Sequence, residues 1–216
     1  MKRIVVVGAG GFAREVAWLI EEINSFEHKW HLLGFVDADP AMIGHQVGKY
    51  HVVGNDDYLS STDEELHVVI GIGAPQIIHR IRERLRRCEH LTFPNLIHPS
   101  VLWDEDRIAL GEGNIICAGN ILSTDISIGS FNILNLASTY GHDAVIGDCN
   151  VINPGVNLSG GVIVGCRCLI GTGATILENR SIGDDCVVGG GAVVAQNVPP
   201  GSVVAGVPAR PLAGSD

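Results

Sequence analysis

Two hydrophobic rhythms divide the chain. In the first 95 residues, apolar runs of buried-strand length alternate with helical stretches. Arg3-Ile4-Val5-Val6-Val7 predicts a strand, Glu15 to Ile23 an amphipathic helix, Leu32-Leu33-Gly34-Phe35-Val36 a second strand and Val68-Val69-Ile70 a third. A basic helix with Arg80, Arg82, Arg84, Arg86 and Arg87 follows, and Leu91 to Ile97 predicts the last strand of this unit. From Leu110 the rhythm changes to one aliphatic residue every six: Ile116, Leu122, Ile128, Leu134, then Tyr140, then Ile146 and onward to Val194. Fourteen of the fifteen positions in that series are aliphatic, and every aliphatic-Gly pair of this half falls in its phase.

A period of six fits neither a helix nor a two-faced strand. It fits a β-solenoid in which each short strand supplies one inward aliphatic before a turn. Small residues four places further on, such as Cys168, Ala174, Cys186 and Ala192, suit a narrow interior. Three hexads close an 18-residue triangular coil, so residues 18 apart stack at about 4.8 Å, the strand spacing. The register holds from 110 to 194 without an inserted loop. The expected fold is therefore an α/β amino-terminal domain of Rossmann-like type, residues 1–97, followed by an all-β solenoid, residues 98–216.

Composition sharpens this division. Of 28 glycines, 9 lie in residues 1–95 and 19 in residues 96–216, as a solenoid of tight corners requires. The net charge is -10, with 10 Lys+Arg against 13 Asp+Glu before the cut and 4 against 11 after it. That argues against a nucleic-acid partner, whose electrostatic footprint is basic. There is no apolar run of membrane-spanning length and no export signal ahead of the first strand, so a cytoplasmic protein without membrane insertion is expected. The six cysteines then read as reduced packing residues, and Cys166-Arg-Cys168 lacks the spacing of a zinc or redox motif.

Candidate chemistry gathers where the solenoid pattern breaks. Tyr140 is the one non-aliphatic member of its column, and His142 and Asp143 follow within Thr139-Tyr140-Gly141-His142-Asp143. A histidine there suits a general base, and Asp143 could orient it, given a bend at Gly141 to overcome the divergence of adjacent side chains. One coil on, 142+18 is Gly160, whose backbone N–H would stand beside the base as a donor to an oxyanion. As plain structure the same residues would be a surface histidine, a turn carboxylate and a solenoid corner.

In the first domain, Gly8-x-Gly10-x-x-Ala13 joins a strand to a helix, the context in which glycines let a phosphate approach a helix N-terminus. Asp37, at the end of the second strand, can accept from ribose or base donors, or simply close a turn. The arginines after Pro75 are spaced mostly by twos, which scatters them around a helix and predicts a solvated helix rather than a phosphate cluster.

The hexad series, with the tail Val203-Val204-Ala205-Gly206-Val207-Pro208-Ala209-Arg210, resembles the hexapeptide-repeat acyltransferases with a left-handed parallel β-helix. The short β-α-β unit with Gly-Ala-Gly-Gly-Phe-Ala-Arg fused to it resembles one subfamily, which acetylates sugars for bacterial surface glycans. Its members are nucleotide-linked 4-amino-sugar N-acetyltransferases and sialic acid O-acetyltransferase-like proteins. The resemblance implies a homotrimer that uses acetyl-CoA and no metal, with the donor between neighbouring helices. It assigns the nucleotide sugar, rather than NAD, to Gly8, Gly10, Gly11, Phe12, Asp37 and Gly73. It places the donor near Asn135, Thr172 and Gly190, with Arg210 at a CoA phosphate, and it implies direct transfer with His142 as base.

Two positions depart from the family pattern. Asp143 stands where the sugar acetyltransferases carry Glu, and Val151 stands nine residues after the base, where relatives often carry a second histidine. The rival readings are an O-acetyltransferase, a non-catalytic trimeric nucleotide-binding scaffold, a γ-carbonic-anhydrase-like zinc enzyme, for which only His142 and His98 are on offer, and an NAD-dependent module.

Overall fold

The computed structural model describes residues 1–62 and 65–212. The amino-terminal domain opens with β1 (Lys2–Val7), α1 (Gly11–Phe26) and β2 (Trp30–Val36), then β3 (Gln46–Val47), β4 (Tyr50–Gly54) and α2 (Asp56–Ser61). It ends with β5 (Leu66–Ile70), α3 (Pro75–Leu85) and β6 (Leu91–Thr92). The sheet order is β3-β4-β2-β1-β5-β6, parallel except for the β3 hairpin strand. Burial on both faces of the sheet explains the solid apolar runs: Ile4, Val5 and Val6 in β1 and Val68 and Val69 in β5 are fully enclosed.

The expected strand from Leu91 to Ile97 is in fact two strands in two different sheets. Leu91 and Thr92 pair with β5, whereas β7 (Leu96–Ile97) pairs with Ile115 and Ile116 of the solenoid. Pro94, lacking an N–H, interrupts the run, and Asn95 begins the next domain by donating to Gly111 O and accepting from Asn114 N. The solenoid thus takes over a few residues before 98.

Beyond that point the hexads form a triangular, left-handed parallel β-helix with three faces. The docking face contains Ile115–Ile116, Ile133–Leu134, Val151–Ile152, Leu169–Ile170 and Val187–Val188. The Tyr140 face contains Ile121–Leu122, Thr139–Tyr140, Asn157–Leu158, Thr175–Ile176 and Val193–Val194. The Val145 face contains Ile108–Leu110, Ile126–Ile128, Val145–Ile146, Ile163–Val164 and Ser181–Ile182. From Ile108 to Val194 partners are 18 apart, as with Leu134 and Ile152 or Tyr140 and Leu158, whereas the entry from Leu96 to Ile115 takes 19. In the last coil the step drops to 16, with Ile182 opposite Val198 and Val188 opposite Val204.

The interior follows the hexad columns. Apart from the half-buried Leu110, the aliphatic column and Tyr140 are buried, and so are the small residues between them. One column is a ladder of buried amides: Asn114 Oδ1 accepts from Asn132 N, Asn132 Oδ1 from Asn150 N, and Asn150 Oδ1 from Cys168 N at 2.7 Å. Cys168 and Cys186 continue the column, and burial pushes the Cys168 thiol up to about 12, which suits packing and not reactivity.

The two domains share one apolar cluster. Ile115, Ile133 and Val151 point outward from the docking face yet are buried with the core of the first domain, and Phe93 meets Phe131 edge-on at 5.1 Å. Polar contacts from α3 flank it. Arg82 donates to Asp148 at 2.8 Å and lies over the Phe131 ring, while Gln76 donates to Asp185 at 2.6 Å. Val151 is therefore an interdomain packing residue in this chain.

Candidate active site

His142 stands on the corner between the Tyr140 face and the Val145 face, the corner opposite the docking face. Its side chain is exposed, and Nδ1 lies 2.8 Å from Asp143 Oδ2. The bend that brings adjacent side chains together is not at Gly141, as the sequence suggested, but at Asp143 itself, whose φ is +58°. Left-handed residues recur at this corner in four successive coils, at Asp125, Asp143, Gly161 and Asn179, so an ordinary solenoid turn creates the pair. With Asp143 accepting at Nδ1, the imidazole carries its proton there and presents a lone pair at Nε2.

Gly160 lies directly against that nitrogen. A Cβ on Gly160 would stand 2.5 Å from His142 Nε2 and 2.6 Å from Cε1, so any larger residue would displace the ring from this position. Gly161 N donates to His142 O at 2.8 Å, which locks the coil to its neighbour, whereas the Gly160 amide has no acceptor among the described residues. The imidazole and an unused backbone N–H thus adjoin, one 18-residue coil apart.

The remaining solenoid candidates are elsewhere. Thr172 and Gly190 are stacked, with Gly191 N donating to Thr172 O, but on the corner between the docking face and the Tyr140 face. Within one chain they face His142 across the width of the Tyr140 face. Asn135 is nearly buried at that same corner and spends Oδ1 on the Leu136 amide at 2.8 Å, closing its own turn. Arg210 is exposed on the short strand that folds back over Val203–Ala205, and its Nη1 donates to Ala209 O.

In the first domain a cavity of 390 Å³ opens at the carboxyl ends of β1 and β2, the crevice where ligands bind in open α/β sheets. It brings Gly8 and Asp37 together with Asp56, Ile72, Arg80 and Arg84. Gly8 has φ +101°, and a Cβ there would meet Ile72 Cγ1 at 2.9 Å. Asp37 also closes the turn read from its neighbours, since Oδ1 accepts from Asp39 N. Gly10 and Gly11 open α1, whose N-cap Gly10 carries no side-chain cap, and neither they nor Phe12 or Gly73 line the cavity. Phe12 packs instead against the shared apolar cluster.

The reading of α3 as an evenly solvated helix needs correction. Arg80 and Arg84 are four apart, so they share one face and both line the cavity, where Arg84 pairs with both oxygens of Asp56. Arg82, between them in sequence, points to the opposite side and holds the solenoid. The i, i+4 pair was present in the sequence as a signal, masked by Arg82 and Arg86 around it. Asp56 gave no signal of its own, because only the fold sets the start of α2 beside Arg84. Among the described residues no group of three or more His, Cys, Asp or Glu is placed to hold a metal ion, and no helix is long and apolar enough to cross a membrane.

Comparison with known proteins follows the same division. Residues 3–85 match the PglD N-terminal domain and residues 161–196 the bacterial transferase hexapeptide repeat. PerB from Caulobacter crescentus, solved with CoA and GDP-perosamine, is 31% identical over 98% of each chain, with a TM-score of 0.88. A histidine-to-asparagine variant of perosamine N-acetyltransferase from the same organism, solved with the same two ligands, is 29% identical over 98% of this chain and 97% of that one, at 0.88. The acetyltransferase domain of PglB from Neisseria gonorrhoeae, solved with acetyl coenzyme A, is 29% identical over 98% and 99%, at 0.87. No curated protein sequence matches the chain.

Proposed function

Because the chain belongs to the hexapeptide-repeat sugar acetyltransferases and is an acyltransferase, we propose that it moves the acetyl group of acetyl-CoA to the amine of a nucleotide-linked 4-amino-sugar used in surface glycans. The observation that carries this reading is the His142 corner, where a carboxylate fixes the imidazole tautomer and the free Nε2 adjoins a backbone amide left without an acceptor. In the reaction the neutral amine attacks the thioester carbonyl. A C–N bond forms, His142 Nε2 takes the proton from nitrogen, and the Gly160 N–H receives charge on the carbonyl oxygen. Collapse breaks the C–S bond, and the departing thiolate takes the proton.

The nucleotide belongs in the 390 Å³ cavity. Asp37 and Asp56 accept from ribose or base, while Arg80 and Arg84, with the glycine turn, face the phosphates. That PerB is solved with CoA and GDP-perosamine supports this class of substrate.

Geometry also supports the homotrimer. The first domain covers the docking face, and His142 occupies the corner opposite that face, so the cavity and the base of one chain are turned away from each other. A sugar held by one copy then meets His142 of another, and the Thr172–Gly190 corner of a neighbour completes the donor groove.

The test is thiol release from acetyl-CoA with purified protein and UDP-, dTDP- and GDP-linked 4-amino-sugars, beside free sialic acid. Turnover of one amino-sugar is expected. Release on the sugar acid alone would replace N-acetylation by O-acetylation, and no release with any acceptor would return the chain to a binding scaffold.

A further inference from the structure

Arg180 is out of place. Every sixth residue from Asn114 to Val198 forms the second inward column of the solenoid, and Arg180 is its one charged member. Ala144 and Val162, two coils and one coil below it, are fully buried. The column holds so long a side chain because the coil above crosses this corner two residues short: Val198 moves on to pair with Ile182, and Asn197 Oδ1 accepts from Ser181 N.

The side chain is partly buried, and its Nε is fully enclosed with no hydrogen-bond partner. No carboxylate among the described residues pairs with it. An arginine cannot shed its charge, so a half-buried guanidinium that no carboxylate neutralises gains from an anion that reaches its outer nitrogens.

Only four Lys or Arg cations exist in residues 96–216: Arg107, Arg167, Arg180 and Arg210. Arg107 pairs with Asp104, and Arg167 with Asp184 and Asp185. Arg210 is exposed on the folded-back tail. Arg180 alone is half-buried and, among the described residues, without a carboxylate partner, and it lies on the His142 corner. Position 178 is directly two coils above His142, about 10 Å along the axis at the strand spacing, and Arg180 is two residues further on.

Resting on the acyl-donor reading above, we infer that Arg180 binds a phosphate of the acyl-CoA, and that the donor therefore runs from the thioester at His142 and Gly160 up this corner toward the last coil.

The test compares wild type with Arg180→Val, which gives the column the residue type it otherwise holds. CoA and pantetheine are titrated by calorimetry, acetyl-CoA and S-acetylpantetheine are compared as donors, and the melting temperature and assembly state are measured without ligand. The expected result is CoA affinity lowered roughly tenfold or more, the loss due to one charge-assisted contact. Kinetics with S-acetylpantetheine stay unchanged, the assembly is unaltered and the ligand-free melting temperature rises. Arg180→Lys keeps the preference for CoA over pantetheine, and it serves if the valine variant does not fold. Equal CoA affinity in wild type and variant would overturn the assignment, as would a loss shared equally by pantetheine. Altered assembly with unchanged CoA affinity per site would give Arg180 to a neighbouring copy. If wild type binds no CoA, the donor reading itself falls, a result distinct from all of these.

Discussion

The two domains write their sites in different ways. The solenoid repeats one environment at a fixed period, so a residue of the wrong kind marks itself: Tyr140, Arg180 and the change from asparagine to cysteine at Cys168 are each visible against their columns. The first domain has no such reference. Its cavity is assembled from Gly8, Asp37, Asp56, Arg80 and Arg84, which are unremarkable one at a time and meaningful only once the sheet order brings them to one edge. Periodicity thus marks candidate residues one at a time, while an open α/β sheet hides them in topology.

The difference is also one of chemistry, and the sharpest way to break it is His142→Ala. The imidazole is exposed and makes its one side-chain bond to Asp143, so its loss leaves the coil intact. Melting is expected to move by less than about 0.5 kcal/mol in stability, while kcat falls about 10²–10⁴-fold, the usual range for a general base. Undiminished turnover would remove the base assignment. Arg84→Ala addresses the other domain. It strips one cavity wall and frees Asp56, far from the reacting atoms, so KM for the nucleotide sugar is expected to rise roughly tenfold while kcat holds. A fall in kcat with unchanged KM would mean that the cavity does not bind the nucleotide.

How much was legible follows from the same contrast. The hexad count gave the coil, the 18-residue stacking, the inward Tyr140 and the contact between His142 and Gly160, because each rests on the period alone. The bend at Asp143 was misplaced to Gly141, since the left-handed corner residue can carry any side chain that tolerates positive φ, Phe131 and Arg167 included. Val151 stands where relatives often carry a second histidine. Its burial against the first domain was illegible because no local pattern says which face of a solenoid another domain will cover. Arg80 and Arg84 were in plain view at helical spacing, but assigning their face needed the side of α3 that Arg82 commits to the solenoid.

A smaller effect is expected at that commitment. Arg82→Ala removes a partly exposed ion pair with Asp148 and the stacking on Phe131, together about 1–2 kcal/mol after allowing for solvent screening. If the domains are separately cooperative, the loss falls on the transition of the first domain, which shifts by a few degrees. The solenoid transition, carried by its own ladder and core, stays where it was. Equal shifts in both would show that the shared apolar cluster, not the arginine, couples them.

The smallest and most specific effect is in acid. Burial alone would raise the Asp148 carboxyl, but the Ser130 amide and the Arg82 guanidinium outweigh it and hold it below the usual 3.8. Hydrogen bonds from Arg167 and then Gln76 bring Asp185 down to about 2. A carboxylate depressed by folding stabilises above its unfolded value and loses that contribution as pH falls through the folded one. The docking contacts should therefore be intact above about pH 4 and weaken between about 4 and 2, without change at neutral or alkaline pH. The solenoid interior holds hydroxyl, amide and thiol groups but, among the described residues, no buried carboxylate, so it should keep its β-sheet circular dichroism through that window while the first domain becomes sensitive to an acid-active protease. The Arg82→Ala, Gln76→Ala double variant should show this sensitivity at higher pH, having lost two of the groups that depress the carboxylates. An unchanged acid midpoint in that variant would mean that the domains part for another reason, and that these two aspartates merely sit at the seam.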